Sequence, residues 1–147
     1  MDLNIKINEN DLVAIRRKFA KLAELGKSDG MTRKMANVLR TEAEDAFDDE
    51  RSPEGIKWQD LKPDYKKHRY ARGFNGKILQ VSGLLVQSLN IDYGDDFAAV
   101  GVSEPYGVYH QLGTKHMPAR PFLGISEAGV DEIKQILQNA LNRALSS

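Results

Sequence analysis

The spacing of apolar residues changes along the chain, and each change predicts an element. Leu3, Ile5 and Ile7 alternate with polar neighbours, the period of a short strand. Leu12, Ile15, Phe19 and Leu22 then recur at three- and four-residue spacing, with Arg16, Arg17, Lys18 and Lys21 between them. That pattern predicts an amphipathic helix, capped by Asn8, Asn10 or Asp11 and ending near Gly26. After a turn over 27–30, a second helix is predicted from Met31 to about Glu50. Its apolar stripe runs from Met31, Met35, Val38 and Leu39 into Ala43, Ala46 and Phe47. The last third of that helix is acidic, with Glu42, Glu44, Asp45, Asp48, Asp49 and Glu50. Negative charge there opposes the helix dipole, so fraying or an offsetting basic partner is expected.

Ser52-Pro53-Glu54-Gly55 breaks the helix. Pro63 suits the first position of a short helix through Tyr70. Gly73-Phe74-Asn75-Gly76 reads as a mobile loop, since two glycines leave its backbone unrestrained. Ser82 is placed to cap a helical turn containing Leu84, Leu85 and Leu89. Residues 90–93 and 97–102 predict two strands joined by Gly94-Asp95-Asp96. A short helix over 105–112, a proline-containing loop over 113–121 and a last helix capped by Ser126 complete the chain. Val130, Ile133, Ile136, Leu137, Ala140, Leu141, Ala144 and Leu145 supply the buried face of that helix. The architecture is α+β: long helices at both ends, packed on a small antiparallel sheet with short helices and a basic loop between.

The 147 residues suit one domain spanning 1–147. A domain of this size buries roughly 68–70% of its unfolded surface, so one core suffices without staples. With 41% hydrophobic and 29% charged residues the chain is globular in composition. Lys plus Arg equals Asp plus Glu, 21 each, which argues against a dedicated nucleic-acid coat and weakens self-repulsion between copies. The absence of cysteine removes disulfides, thiol catalysis and Cys-ligated zinc. The first residues lack a signal peptide's basic start and apolar stretch, and no run approaches the ~20 apolar residues of a membrane span. Folding in the cytoplasm is expected.

Candidate chemistry is sparse. No phosphate-binding loop, dinucleotide fingerprint or nucleophile elbow is present. His110 and His116 match no familiar metal spacing, and His110 is expected to hydrogen-bond locally at a helix end. The carboxylates over 42–50 read as a solvated face, because acid–base work needs two carboxyls in different environments facing one cleft. An enzyme using His110 and a nearby carboxylate ranks last among the readings. Residues 57–77 hold seven basic side chains against two acidic ones, whereas 42–54 hold seven acidic against one basic. Basic residues interleaved with Tyr65, Tyr70 and Phe74 can track a phosphate backbone. Contact with the acidic segment, within the chain or across a subunit boundary, is favoured. Trp58, the only tryptophan, reads as a core anchor.

Four stretches occur in a particular order. Trp58-Gln59-Asp60-Leu61-Lys62-Pro63 comes first, followed by Arg69; next is the run over 79–88, Leu-Gln-Val-Ser-Gly-Leu-Leu-Val-Gln-Ser. Val100-Gly101 then leads through Tyr106 to His110-Gln111-Leu112-Gly113, and Met117-Pro118-Ala119-Arg120-Pro121-Phe122-Leu123-Gly124 closes the series. This order and spacing resembles the phage virion morphogenesis family, which includes tail completion proteins of Mu-like and related contractile-tailed phages. The resemblance covers about residues 40–145 and, loosely, the first helix. Ser82 stands where the family has threonine, and Asp64 where a hydroxyl residue often follows the proline.

The resemblance implies a structural protein that completes the tail and supports head–tail joining, with no catalysis and no cofactor or metal. It implies tail tube and neck proteins as partners and a homo-oligomeric ring, six-fold like the tube. The location implied is the tail and neck of a virion assembled in the bacterial cytoplasm. A nucleic-acid-binding module using the 62–77 segment is the alternative. Candidate interface residues are Lys66, Lys67, Arg69, Arg72, Phe74 and Lys77, with Lys115, His116, Arg120 and Phe122 in the later loop. Arg120 offers a planar fork for a carboxylate or backbone carbonyls, and Phe122 suits either the core or a subunit contact. Motif positions read as structural are Trp58, Leu61, Pro63, Ser82 and Gly83, then Gly101, Tyr106, His110, Gln111 and Gly113, and finally Pro118 and Leu123.

Overall fold

A computed structural model of the chain describes residues 9–24, 30–73, 78–79, 83–95 and 97–146. The elements are α1 (Glu9–Glu24), α2 (Met31–Asp49), α3 (Pro63–Ala71), α4 (Leu84–Gln87), β1 (Leu89–Tyr93), β2 (Ala98–Val102), α5 (Gly107–Leu112) and α6 (Glu127–Ser146). The fold is α+β, with long helices near both ends and one two-stranded antiparallel sheet. Strand register pairs Leu89 with Val102 and Tyr93 with Ala98.

The helical periodicity places α1, α2 and α6 around one apolar cluster, which includes Ile15, Leu22, Met35, Val38, Ile133 and Leu137. Asp11 in the first turn of α1 accepts a 2.7 Å hydrogen bond from Lys134 of α6, fixing how the two helices meet. A second cluster gathers Ala43, Phe47, Trp58, Leu85, Leu89 and Phe122. The α2 stripe serves both: its first half faces α1 and α6, its second half the sheet and Trp58. Phe47 meets Trp58 edge-on at 5.9 Å and Phe122 at 5.1 Å. Burying one such ring stabilises by about 1.5–3 kcal/mol.

The acidic end of α2 holds its helical form to Asp49 rather than fraying. Glu50 turns into the left-handed region at φ 54°, and its N–H donates to the Ala46 carbonyl. Satisfying that carbonyl offsets the unfavourable dipole. The breaker is a tight knuckle. Ser52 donates its N–H to the Ile56 carbonyl at 2.8 Å, the Ile56 N–H donates to Ser52 Oγ at 3.1 Å, and Arg51 bridges Lys57.

Three boundaries differ from the sequence reading. Leu89 opens β1 instead of closing a helical turn, because it pairs with Val102 and buries beside Phe47. Phe97 lies outside β2 and is exposed. The fifth helix starts at Gly107, two residues after Pro105. Asn10 and Asp11 lie inside α1 rather than capping it, and Leu145 near the end of α6 is exposed, not buried. The strand over residues 3–7, the Asn8 and Ser82 caps, the helix end at Gly26 and the loop positions Phe74, Asn75 and Gly76 lie outside the described residues.

Candidate functional site

The signature residues converge on a clasp between two segments some sixty positions apart. Trp58 Nε1 donates to the Pro121 carbonyl at 2.8 Å. Arg120 Nε donates to the Gln59 carbonyl at 2.9 Å and Nη2 to the Asp60 carbonyl at 3.3 Å. Gln111 acts as a substitute strand: Oε1 accepts from the N–H groups of Phe122 and Leu123, both at 3.0 Å, and Nε2 donates to the Leu123 carbonyl at 3.1 Å. The Arg120 N–H closes the loop on the His110 carbonyl at 2.7 Å. Gly113 makes the turn at φ 75°, where a Cβ would stand 2.7 Å from the Ala119 nitrogen. Trp58, Gln111, Gly113, Arg120 and Phe122 are therefore one structural unit.

That geometry corrects three interface assignments. Arg69, Arg120 and Phe122 are only 3%, 7% and 0% exposed, so they are packed into the fold and not laid out on its outer surface, Arg120 reaching only the wall of a cavity. The Arg69 Nη1 donates to the Ile78 carbonyl at 3.2 Å, tying α3 to 78–79. A buried guanidinium needs fixed acceptors, and carbonyls of adjacent segments supply them here. Phe122 belongs to the core, while Leu123 is half-buried against it. His110 also differs: its ring Nδ1 is buried with no hydrogen-bond partner among the described residues. Burial pushes its imidazole below the ordinary value, and the Arg120 charge acts in the same direction. Among the described residues, Arg120 is the charged group that acts on it.

The remaining candidates lie on the surface. On α3, Lys67, His68 and Arg72 are exposed, as are Tyr65 and Tyr70. Lys66 donates to Asp60 at 3.1 Å and sits 5.8 Å from the Tyr70 ring centre. The same hydrogen bond holds the Asp60 carboxyl below the usual carboxylate range. Lys115 and His116 are exposed in the loop that Thr114 and Met117 bridge. Phe74, Lys77 and Ser82 lie outside the described residues. Among the other motif positions, Pro63 opens α3, Gly83 precedes α4 at φ 74°, and Gly101 faces Asn90 across the sheet. Tyr106 is exposed, and Leu61 and Pro118 are half-buried. With Tyr109 and Leu112, Tyr106 leaves an apolar stripe on α5 open to solvent.

Two features carry no local sequence signal. A cavity of about 380 Å³ opens between α3 and the 113–120 loop, with Leu61, Ile78, Leu79, Met117 and Pro118 in its walls. Ile56, where the knuckle closes on Ser52, is 72% exposed. The acidic end of α2 finds no partner in the lysines of the basic segment: among the described residues none of Lys57, Lys62, Lys66 and Lys67 pairs with it. Arg40 pairs with Glu44 inside α2, and Glu42 accepts from Ser126. Among the described residues no group of three or more His, Asp or Glu side chains is placed to hold a metal ion. No helix among them is long and apolar enough to cross a membrane.

The phage virion morphogenesis family profile matches residues 10–142. The chain belongs to that family. It is 54% identical over 134 residues to "Mu-like prophage FluMu G protein 1" of Haemophilus influenzae, covering 90% of this chain and 92% of that protein. It is 32% identical over 154 residues to "Putative capsid assembly protein G" of Escherichia phage Mu, covering 96% of this chain and 99% of that protein. No solved structure matches it. Membership makes the chain a structural morphogenesis protein associated with the phage virion.

Proposed function

We propose that this chain completes the phage tail and supports head–tail joining through protein–protein contacts, without catalysis. The reading rests on family membership over residues 10–142, together with where the signature falls. Trp58, Gln111, Arg120 and Phe122 are engaged in holding the fold, so the motif shapes a rigid body and not a reactive cleft. The surface so held presents tyrosines on α3 and α5 and segregated charge, features that suit subunit contacts. Tail tube and neck proteins are the partners, and copies of the chain form a ring, six-fold to match the tube. The site of action is the tail–neck region of a virion assembled in the host cytoplasm.

Deleting the gene from a functional phage tests this by electron microscopy. DNA-filled heads beside unjoined tails are expected. Normal infectious particles would end the idea, and loss of heads would favour the capsid role in the Mu relative's name. The basic face of α3 also suits a phosphate backbone, although a net charge of +0 weighs against it. A gel shift at low salt that shows no retarded DNA removes that second reading.

A further inference from the structure

We propose that the chain docks head-to-tail on a second copy of itself, the knuckle after α2 seating in the cavity beside α3. The inference rests on the reading that copies of this chain meet in the virion, and it names the two surfaces that meet.

The knuckle is a preformed knob. Beyond the Ser52–Ile56 bonds, Gly55 donates to the Ser52 carbonyl at 2.9 Å and Trp58 N–H to the Glu50 carbonyl at 2.8 Å. Little order remains to be imposed on binding. Where the turn closes, beside the 53–55 tip, Ile56 holds an apolar side chain in water, 72% exposed. The segment that carries it is net acidic: Glu44, Asp45, Asp48, Asp49 and Glu54 are exposed, against Arg51 and Lys57, which bridge each other beside Ile56.

The cavity is the matching hole. Its walls are mostly apolar, Lys62 and His116 stand exposed among its lining residues with Arg120 deeper, and among the described residues no carboxylate lines it. Lys67 and His68 are also exposed on α3, and the surrounding 57–77 segment is net basic although Asp60, bonded to Lys66, and Asp64 offset part of it. An apolar side chain on a net-acidic segment fits an apolar hole on a net-basic one. The knob does not enter its own chain's hole. Buried Trp58 and the Arg120 hydrogen bonds to Gln59 and Asp60 anchor the intervening segment. Knob and hole are different patches of one surface, so the contact is heterologous and closes into a ring when the rotation between copies allows. The net charge of +0 leaves no overall repulsion to oppose it.

The chain has no cysteine, which makes disulfide trapping clean. Chains carrying Ile56→Cys and His116→Cys, both at exposed positions, are mixed and oxidised. The control pairs Ile56→Cys with Asn139→Cys, exposed on α6. The matched pair should cross-link about tenfold faster, the low end of what charge steering supplies. Adding Asp45→Lys, Asp48→Lys and Asp49→Lys to the Ile56→Cys chain should abolish the excess. Adding Lys62→Glu and Lys67→Glu to the His116→Cys chain should then restore it. Circular dichroism checks that each variant folds. Equal rates in matched and control pairs, or an excess that charge reversal leaves unchanged, overturns the proposal. Because purified protein is used, that failure is separate from a deletion phenotype, which tests the tail role alone.

Discussion

Gln111 shows how one side chain replaces an element of secondary structure. It supplies the acceptor for two backbone N–H groups and a donor for one carbonyl, in a segment that no strand accompanies. Gln111→Ala leaves the buried Phe122 N–H without its acceptor. An unsatisfied buried donor costs about 1–3 kcal/mol. We expect a loss near the top of that range, read from urea denaturation. An unchanged midpoint would show that the clasp does not hold the segment. His110, on the same helix, carries a pH signature. Its folded-state value lies below its ordinary one, so between the two the unfolded chain binds a proton that the folded chain refuses. Stability should therefore be full at pH 7.5 and decline as pH falls through about 6.5. His110→Gln should flatten that decline, and equal losses in both proteins at pH 5.5 would remove His110 as its source. The sequence named Gln111, His110 and Arg120 but not their partners. The hydrogen bonds of Trp58 and Arg120 reach residues about sixty positions away, beyond any local pattern.

Among elements, the helices were the most legible. Their apolar stripes repeat over 16–20 residues in α1, α2 and α6, long enough for periodicity to outweigh single exceptions. Ser126 is a cap readable in advance: its Oγ accepts from the Gly129 N–H at 3.0 Å. What it also does, donating to Glu42 Oε1 at 2.7 Å, ties the start of α6 to α2 and was not readable. Ser126→Ala should lower stability by about 1 kcal/mol or slightly more, a shift of roughly 3 °C in Tm. No shift in a thermal scan would mean the cap and its link to α2 are dispensable. Short elements were less legible. Four residues give no period, so from sequence Leu89 reads as part of a helical turn. Pairing with Val102 and burial beside Phe47 put it in a strand.

For the whole molecule, α2 matters most, since its two halves enter both apolar clusters. If that helix couples them, they unfold together. Trp58 sits in the second cluster, so its fluorescence reports on that cluster. Far-UV circular dichroism is dominated by the long helices, which build the first. The two signals should trace one urea transition, as expected of a single domain. Separated midpoints would show two independent folding units instead.

Composition and periodicity by themselves determined the fold class, the long helices and the hairpin, and the ordered motifs carried the resemblance to the family. These depend on residues near one another in the chain, or on a pattern kept in order along it. Tertiary structure alone decided that Arg69, Arg120 and Phe122 face inward, that Ile56 is left in water, and that a cavity opens beside α3. Burial is set by which distant segment arrives on top of a residue. A charged side chain surrounded by lysines looks like surface until carbonyls from across the fold close over it.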